Sequence, residues 1–348
     1  MSYDSDVSTV TTALIASNPV VFSESTISSI LALSTKINSS VGITNVTPDA
    51  DGNVTVPTSS QEVIFVNTSQ ISQTIVKPPL NAPVVIFQGR GGVVATFNDP
   101  VTVPSGTTNV DRVIIGSAGN DKIVIQDAKN TKIVLGTGDS SVQTGGGVDT
   151  IQAGLGNSTI TGGSGDYAVV KLAGNADNFT VTSQKGHAVV TNKASGKTTD
   201  ITKIQYVSLD GGNALIFAKD SVESNVANLY YTAFGRDADP GGLNFFYDAV
   251  KGGSTMKQVA SAFASSNEFS LINGNKTDID FVNSLYKNAF NRNGEEAGVN
   301  FYLDLLKNGA SRADLIVNFA TVATENNMAV THTEATVVGS VMVVTGIV

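Results

Sequence analysis

The chain has 348 residues, no cysteine, no tryptophan and a formal net charge of −9, with only 15% of its residues charged. That length allows two or three domains with separate cores, and the missing cysteines exclude disulfides, thiolate zinc sites and thiol chemistry. No cluster of Lys and Arg could neutralise several phosphates, which argues against nucleic acid as a partner, and no segment approaches the ~20 apolar residues that span a bilayer.

Residues 1–48 are rich in Ser and Thr, and Ile27, Ile30, Leu31, Leu33 and Ile37 recur at helical spacing, so this region is expected to be partly helical. The opening Met1-Ser-Tyr-Asp-Ser-Asp has no basic stretch ahead of an apolar one, and a cleaved secretory signal is not expected. From residue 49 brief β-branched runs at 63–66, 84–87 and 93–97, separated by Pro and Gly turns, predict strands. They lead without a linker into a nine-residue period. Ile115, Val124, Ile133, Val142, Ile151, Ile160 and Val169 recur, with Gly136/Gly138, Gly145/Gly147, Gly154/Gly156 and Gly163/Gly165 in step. A tight turn followed by a short strand, with one apolar residue pointing inward per rung, is the pattern of a solenoid. Glycine suits such turns because it tolerates positive φ and lets rungs stack closely.

The stretches T-G-G-G-V-D-T-I-Q at 144–152 and G-G-S-G-D-Y-A-V-V at 162–170 resemble the RTX nonapeptide. The resemblance implies a parallel β-roll over about residues 112–170, holding calcium between its turns. Its ligand candidates are Asp121, Asp139, Asp149 and Asp166, with Asn157 as a neutral helper. Hard cations take several oxygens, which stacked turns supply as carbonyls and carboxylates. The family's aspartate is present at Asp149 but replaced by Ser140, Ser158 and Tyr167 in neighbouring repeats. Asp121, in G-S-A-G-N-D-K-I-V, is one residue out of phase with it. A metal-free solenoid held by its apolar ladder is the competing reading. The stretches at 178–192 and 200–212 resemble the segment that follows the roll in RTX-type exported proteins. They imply a cap over 171–218, since an open β edge invites aggregation. The β domain is thus expected to span 49–218.

Residues 219–330 contain a duplication. N-L-Y-Y-T-A-F-G-R-D-A-D-P-G-G-L-N-F-F from Asn228 aligns with S-L-Y-K-N-A-F-N-R-N-G-E-E-A-G-V-N-F-Y from Ser284, 56 residues later. Tyr230/Tyr286, Phe234/Phe290, Arg236/Arg292, Gly242/Gly298 and Phe245/Phe301 coincide. Each copy reads as helix, loop, helix, Gly turn, helix. The pattern Y-x-x-x-F-x-R-x-x-D-x-x-G-x-x-F resembles a helical domain of uncharacterised function, often joined to RTX repeats and present in S-layer proteins of some Gram-negative bacteria. Asp237 and Asp239 share a tight loop, either as calcium ligands or as an acidic cap of the next helix with Arg236 or Arg292 pairing locally. Tyr230, Tyr231, Phe245, Phe246 and Tyr247 form either a sugar-stacking platform or, at helical spacing, a core. Within the last segment, 331–348, residues 335–348 form an apolar, uncharged run. It resembles the uncleaved C-terminal signals of type I secretion, and reads equally as a final strand pairing with a sheet edge or a neighbouring molecule.

His187 and His332 lie in unrelated segments, without metal-ligand spacing or a G-x-S-x-G context, so no enzyme is expected. The fold class expected is multidomain α+β, a parallel β-roll (β-solenoid) followed by a separate all-α domain made of two copies of a helical repeat. The function expected is that of an extracellular structural protein, secreted by type I machinery. It would assemble with itself at the cell surface into an S-layer-like sheet, filament or matrix coat, its roll stabilised by calcium. The alternative is a calcium-dependent adhesin or glycan-binding module that recognises cell-surface polysaccharide.

Overall fold

A computed structural model describes residues 2–18, 21–34, 40–56, 62–100, 109–165, 167–184, 187–212, 214–328, 336–338 and 341–343. The chain divides into two compact units, Met1–Leu172 with Val189–Ile204, and Ala173–Ala188 with Gln205–Val348.

In the first unit each turn of a coil contributes one strand to each of two sheets. One sheet runs β1 (Ser2–Asp6), β2 (Ser40–Val46), β3 (Val63–Asn67), β5 (Val84–Gln88), β7 (Arg112–Ile115), β9 (Thr131–Val134), β11 (Val148–Gln152) and β13 (Tyr167–Lys171). The other runs β4 (Thr74–Val76), β6 (Val93–Phe97), β8 (Lys122–Ile125), β10 (Ser140–Gln143), β12 (Ser158–Thr161) and β16 (Thr198–Thr202). Neighbours are parallel throughout except the antiparallel pair β1 and β2. This is a parallel β-solenoid. Before β16 the chain passes through β14 (Phe179–Gln184) and β15 (His187–Asn192).

The pairing register shows which residues fill the coil. Ile114 pairs with Ile133, Ile133 with Ile151 and Ile151 with Val170. In the facing sheet Ile123 pairs with Val142, Val142 with Ile160 and Ile160 with Ile201. All of these are buried, and full burial of each contributes about 1.5–3 kcal/mol. The nine-residue period therefore holds from Ile133 to Ile160 but shifts by one at both ends. Ile114 and Ile123, not Ile115 and Val124, continue the ladder upstream, because the turn between β8 and β9 adds one residue and makes the step from Ile123 to Ile133 ten residues instead of nine. Downstream, Val170 replaces Val169 for the same reason. Val169 pairs with Thr150 on the outer face, and Val124 is half-buried.

Ile115 misleads because the outer face of the first sheet is also covered. α1 (Val7–Ser17) and α2 (Glu24–Leu33) start at capping residues Asp6 and Ser23, whose side chains accept from the N–H groups of Thr9 and Thr26. Val10, Leu14, Phe22, Ile27 and Ile30 then pack on Val63, Val84, Ile86, Val113, Ile115 and Val134. Strands with both faces covered lose the alternation that marks a half-exposed sheet. Lys132 reaches out of the same face, its Nζ donating to Ser25 O at 2.9 Å and Ser29 Oγ at 3.1 Å. The N-terminal region, expected apart from the β domain at residue 48, thus packs into the solenoid unit, and Ile37 lies outside the described residues.

In the second unit, which also takes in β14, the segment from Gln205 opens with the antiparallel pair β17 (Tyr206–Ser208) and β18 (Ala214–Ile216). Among the described residues seven helices follow: α3 (Ser221–Phe234), α4 (Pro240–Lys251), α5 (Met256–Ala264), α6 (Asn267–Asn273), α7 (Asp278–Phe290), α8 (Glu296–Lys307) and α9 (Arg312–Met328). The duplication is visible in the backbone. α4 and α8, like α5 and α9, begin 56 residues apart. Gly235 and Asn291 end the first helix of each copy in the left-handed region, at φ 68° and 49°, and Gly253 and Gly309 make the second turn at φ 107° and 96°. α9 packs on α3, α5 and α7, and buried Asn228 Nδ2 donates to Thr324 Oγ1 at 2.9 Å. Within 331–348 the described residues form β19 (Thr336–Val338) and β20 (Val341–Val343), an antiparallel pair whose β20 runs parallel to β18. No described helix is long and apolar enough to cross a membrane.

Candidate functional site

Among the aspartates singled out in the roll, Asp121 and Asp139 stand in turns and Asp149 in β11. The longer turn explains the phase of Asp121: it stands just before Lys122, which pairs with Ser141, so it shares an inward column with Ser140 and Ser158. Its Oδ1 accepts from Val93 N at 3.0 Å and Ser117 Oγ at 2.5 Å, and its Oδ2 from Ser117 N at 2.8 Å. Burial pushes its carboxyl up, against those hydrogen bonds. Asp149 occupies the matching column of the other sheet, paired with Ala168; Tyr167 pairs with Val148 instead. Asp149 Oδ1 accepts from Thr131 N at 2.9 Å. Burial raises its carboxyl to about 7 although Thr131 N–H and the Arg112 charge pull it down.

Asp139 and Asn157 sit elsewhere, on an exposed corner where side chains bridge rungs. Asp139 N donates to Asn120 Oδ1 at 2.9 Å, Asn157 N to Asp139 Oδ1 at 2.7 Å, and Thr198 N to Asn157 Oδ1 at 3.1 Å. Hydrogen bonds from Asn157 hold the Asp139 carboxyl below its usual range. The opposite corner has a similar ladder, Asn130 N to Asp111 Oδ2 at 3.0 Å and Val148 N to Asn130 Oδ1 at 2.7 Å. Each such bond satisfies a peptide N–H that a turn would otherwise leave without a partner. Asp166 lies outside the described residues.

Beside Asp149 the long turn holds a buried ionic cluster. Arg112 grips Asp127 with two hydrogen bonds of 2.9 Å and donates to Thr131 Oγ1 at 3.0 Å, while its guanidinium lies over the Phe97 ring at 4.8 Å. Lys129 Nζ meets Asp99 Oδ2 at 2.5 Å. Burial opposes ionisation of Asp127, but its bonds from Arg112 and Asp99 N–H hold its carboxyl low. Sequence reasoning missed this cluster, because Asp99, Arg112, Asp127 and Lys129 follow no motif and meet only through the coil.

In the helical unit the duplicated motif has a mechanical reading. Tyr230 and Tyr286 bring their hydroxyls against Gly242 and Gly298 of the following helix, where any larger residue would collide. Arg236 lies over the rings of Tyr230 and Phe234, and Arg292 over Tyr286 and Phe290. Arg236 pairs with Glu268 through two bonds, at 2.6 and 2.8 Å, and Arg292 with Glu295 at 2.5 Å. Asp239 caps α4 by accepting from Gly242 N at 2.8 Å. Asp237 is used differently: its Oδ2 accepts from Ala214 N at 2.5 Å, beside the bond from Tyr206 hydroxyl to Ala238 O, also 2.5 Å. Asp237 thus ties the β17–β18 pair to the first loop, and burial raises its carboxyl to about 7. Asn293 holds the equivalent place in the second copy, whose loop is exposed.

The aromatic set divides. Tyr230 is buried against Phe234, Phe246 and Phe263, and in the second copy Tyr286 and Tyr302 pack on Phe319. Phe245 and Phe301 remain 66% and 58% exposed at equivalent positions of α4 and α8. Near Phe245, Asn244 Nδ2 donates to Asp248 Oδ2 at 3.2 Å.

Fold and motif together define the class, a parallel β-solenoid joined to a duplicated helical module. A family described as a domain of unknown function, DUF4214, matches residues 217–273 and 260–329, one match over each copy. No curated protein and no solved structure matches the chain.

Proposed function

We propose that this protein is a structural component that assembles with copies of itself. Supporting this most directly is the pair Phe245 and Phe301, two large apolar side chains in water at equivalent places of one module. A single exposed ring is ordinary, but two equivalent ones give each chain two like contact faces. Such faces propagate as rings, sheets or filaments when their geometry does not close on a dimer. The solenoid suits the role of a stiff spacer, since its rungs are bridged at both corners and filled along the ladder. The RTX and S-layer resemblances add a cell-surface location reached by type I secretion. A sheet, filament or matrix coat is the product this reading expects.

A variant carrying Phe245→Ser and Phe301→Ser tests it. Light scattering and negative-stain imaging should show ordered particles for the native protein and their loss in the variant, with circular dichroism unchanged. Assembly that survives both substitutions contradicts the assigned faces. A second reading, an adhesin that stacks a sugar on Phe245 beside Asn244 and Asp248, predicts glycan-array binding by a native protein that stays monomeric.

A further inference from the structure

The RTX resemblance implies calcium between turns, and a hard cation needs about six to eight oxygens with lone pairs turned towards it. In this roll the Asp121, Asp139 and Asp149 carboxylates already accept from donors of the chain, peptide N–H groups and the Ser117 hydroxyl. Asp121 takes three donors from Val93 and Ser117, Asp149 takes Thr131 N, and Asp139 takes Asn157 N. The turn carbonyls are engaged in the same way. Gly136 O accepts from Leu155 N at 3.1 Å, Gly145 O from Gly165 N at 3.2 Å, and Asp127 O from Gly146 N at 2.9 Å. A peptide N–H aimed at a carboxylate carries partial positive charge where a cation would stand, so the two compete for one place. The buried charges are met from within as well, by Arg112 on Asp127 and Lys129 on Asp99.

We propose that this roll has exchanged calcium for donors of its own, peptide N–H groups at Asp121, Asp139 and Asp149 and the Arg112 and Lys129 cations at the long turn, and folds without the ion. The one-residue lengthening of that turn fits the exchange. It brings Asp127 and Lys129 into the coil opposite Arg112 and puts Asp121 in the column that Asp149 occupies in the other sheet. The inference stands independently of self-assembly, because it concerns how one chain closes its rungs.

Thermal unfolding of the full chain, followed by far-ultraviolet circular dichroism in excess EDTA and in millimolar calcium, decides it. The β spectrum should be present in EDTA, and the two midpoints should agree within about 2 °C, since an ion that does not bind the native state cannot shift it. A coil spectrum in EDTA, or a midpoint raised by about 5 °C or more in calcium, overturns the proposal. Asp149→Asn supplies a second arm that does not depend on the native midpoint. Its effect should be equal in the two buffers, whereas a loss confined to calcium would identify Asp149 as a ligand.

Discussion

Gly242 and Gly298 lie against the hydroxyls of Tyr230 and Tyr286, which explains why the motif places a glycine twelve residues after its tyrosine in both copies. Gly242→Ala should destabilise the helical unit by about 2 kcal/mol through overpacking, and Tyr230→Phe in the same chain should recover part of that loss. Urea unfolding of the two variants measures both effects. Lys132 makes a pH-dependent prediction. Burial, with Lys171 nearby, lowers its amine to about 8 from an ordinary 10.5. The unfolded chain therefore binds a proton that the folded chain resists, so this group weakens folding below pH 8 and stops doing so as pH rises towards 10.5. Lys132→Met should gain stability relative to the native protein at about pH 7, and that relative gain should shrink by about pH 10. Urea midpoints of both proteins at the two pH values check the trend.

At the scale of the element, the strand register is the most exposed part of the account. Ile123 is in the ladder and Val124 is not, so Ile123→Ala should cost about 3 kcal/mol and Val124→Ala less than about 1. Equal losses in denaturant unfolding would restore the uninterrupted nine-residue period. That period was legible from Val142 to Ile160 because inward residues there alternate with Ser, Thr and Gln that are exposed or half-buried on the outer face. It failed upstream because the helix pair covers β7 and β9, making Val113, Ile115 and Val134 as apolar as the ladder itself. Nor does a period reveal one extra residue in a turn, which displaced both the ladder and Asp121. The helical copies were legible in more detail. Their duplication carried caps, turns and aromatic contacts together, so a misplaced boundary in one copy would have conflicted with the other. What stayed hidden was the cluster of Arg112, Asp127, Lys129 and Asp99, whose members are up to 30 residues apart, and the use of Asp237 to hold β18.

For the whole molecule, the proposal is that a solenoid and a module with two equivalent exposed rings serve as a building block that acts through contact with its own copies. The most direct measurement of this claim is sedimentation velocity of the native protein across a concentration series, in calcium and in EDTA. The account predicts a mass that grows with concentration through species well beyond a dimer, and equally in both buffers. A single species of 35.9 kDa at every concentration would contradict it.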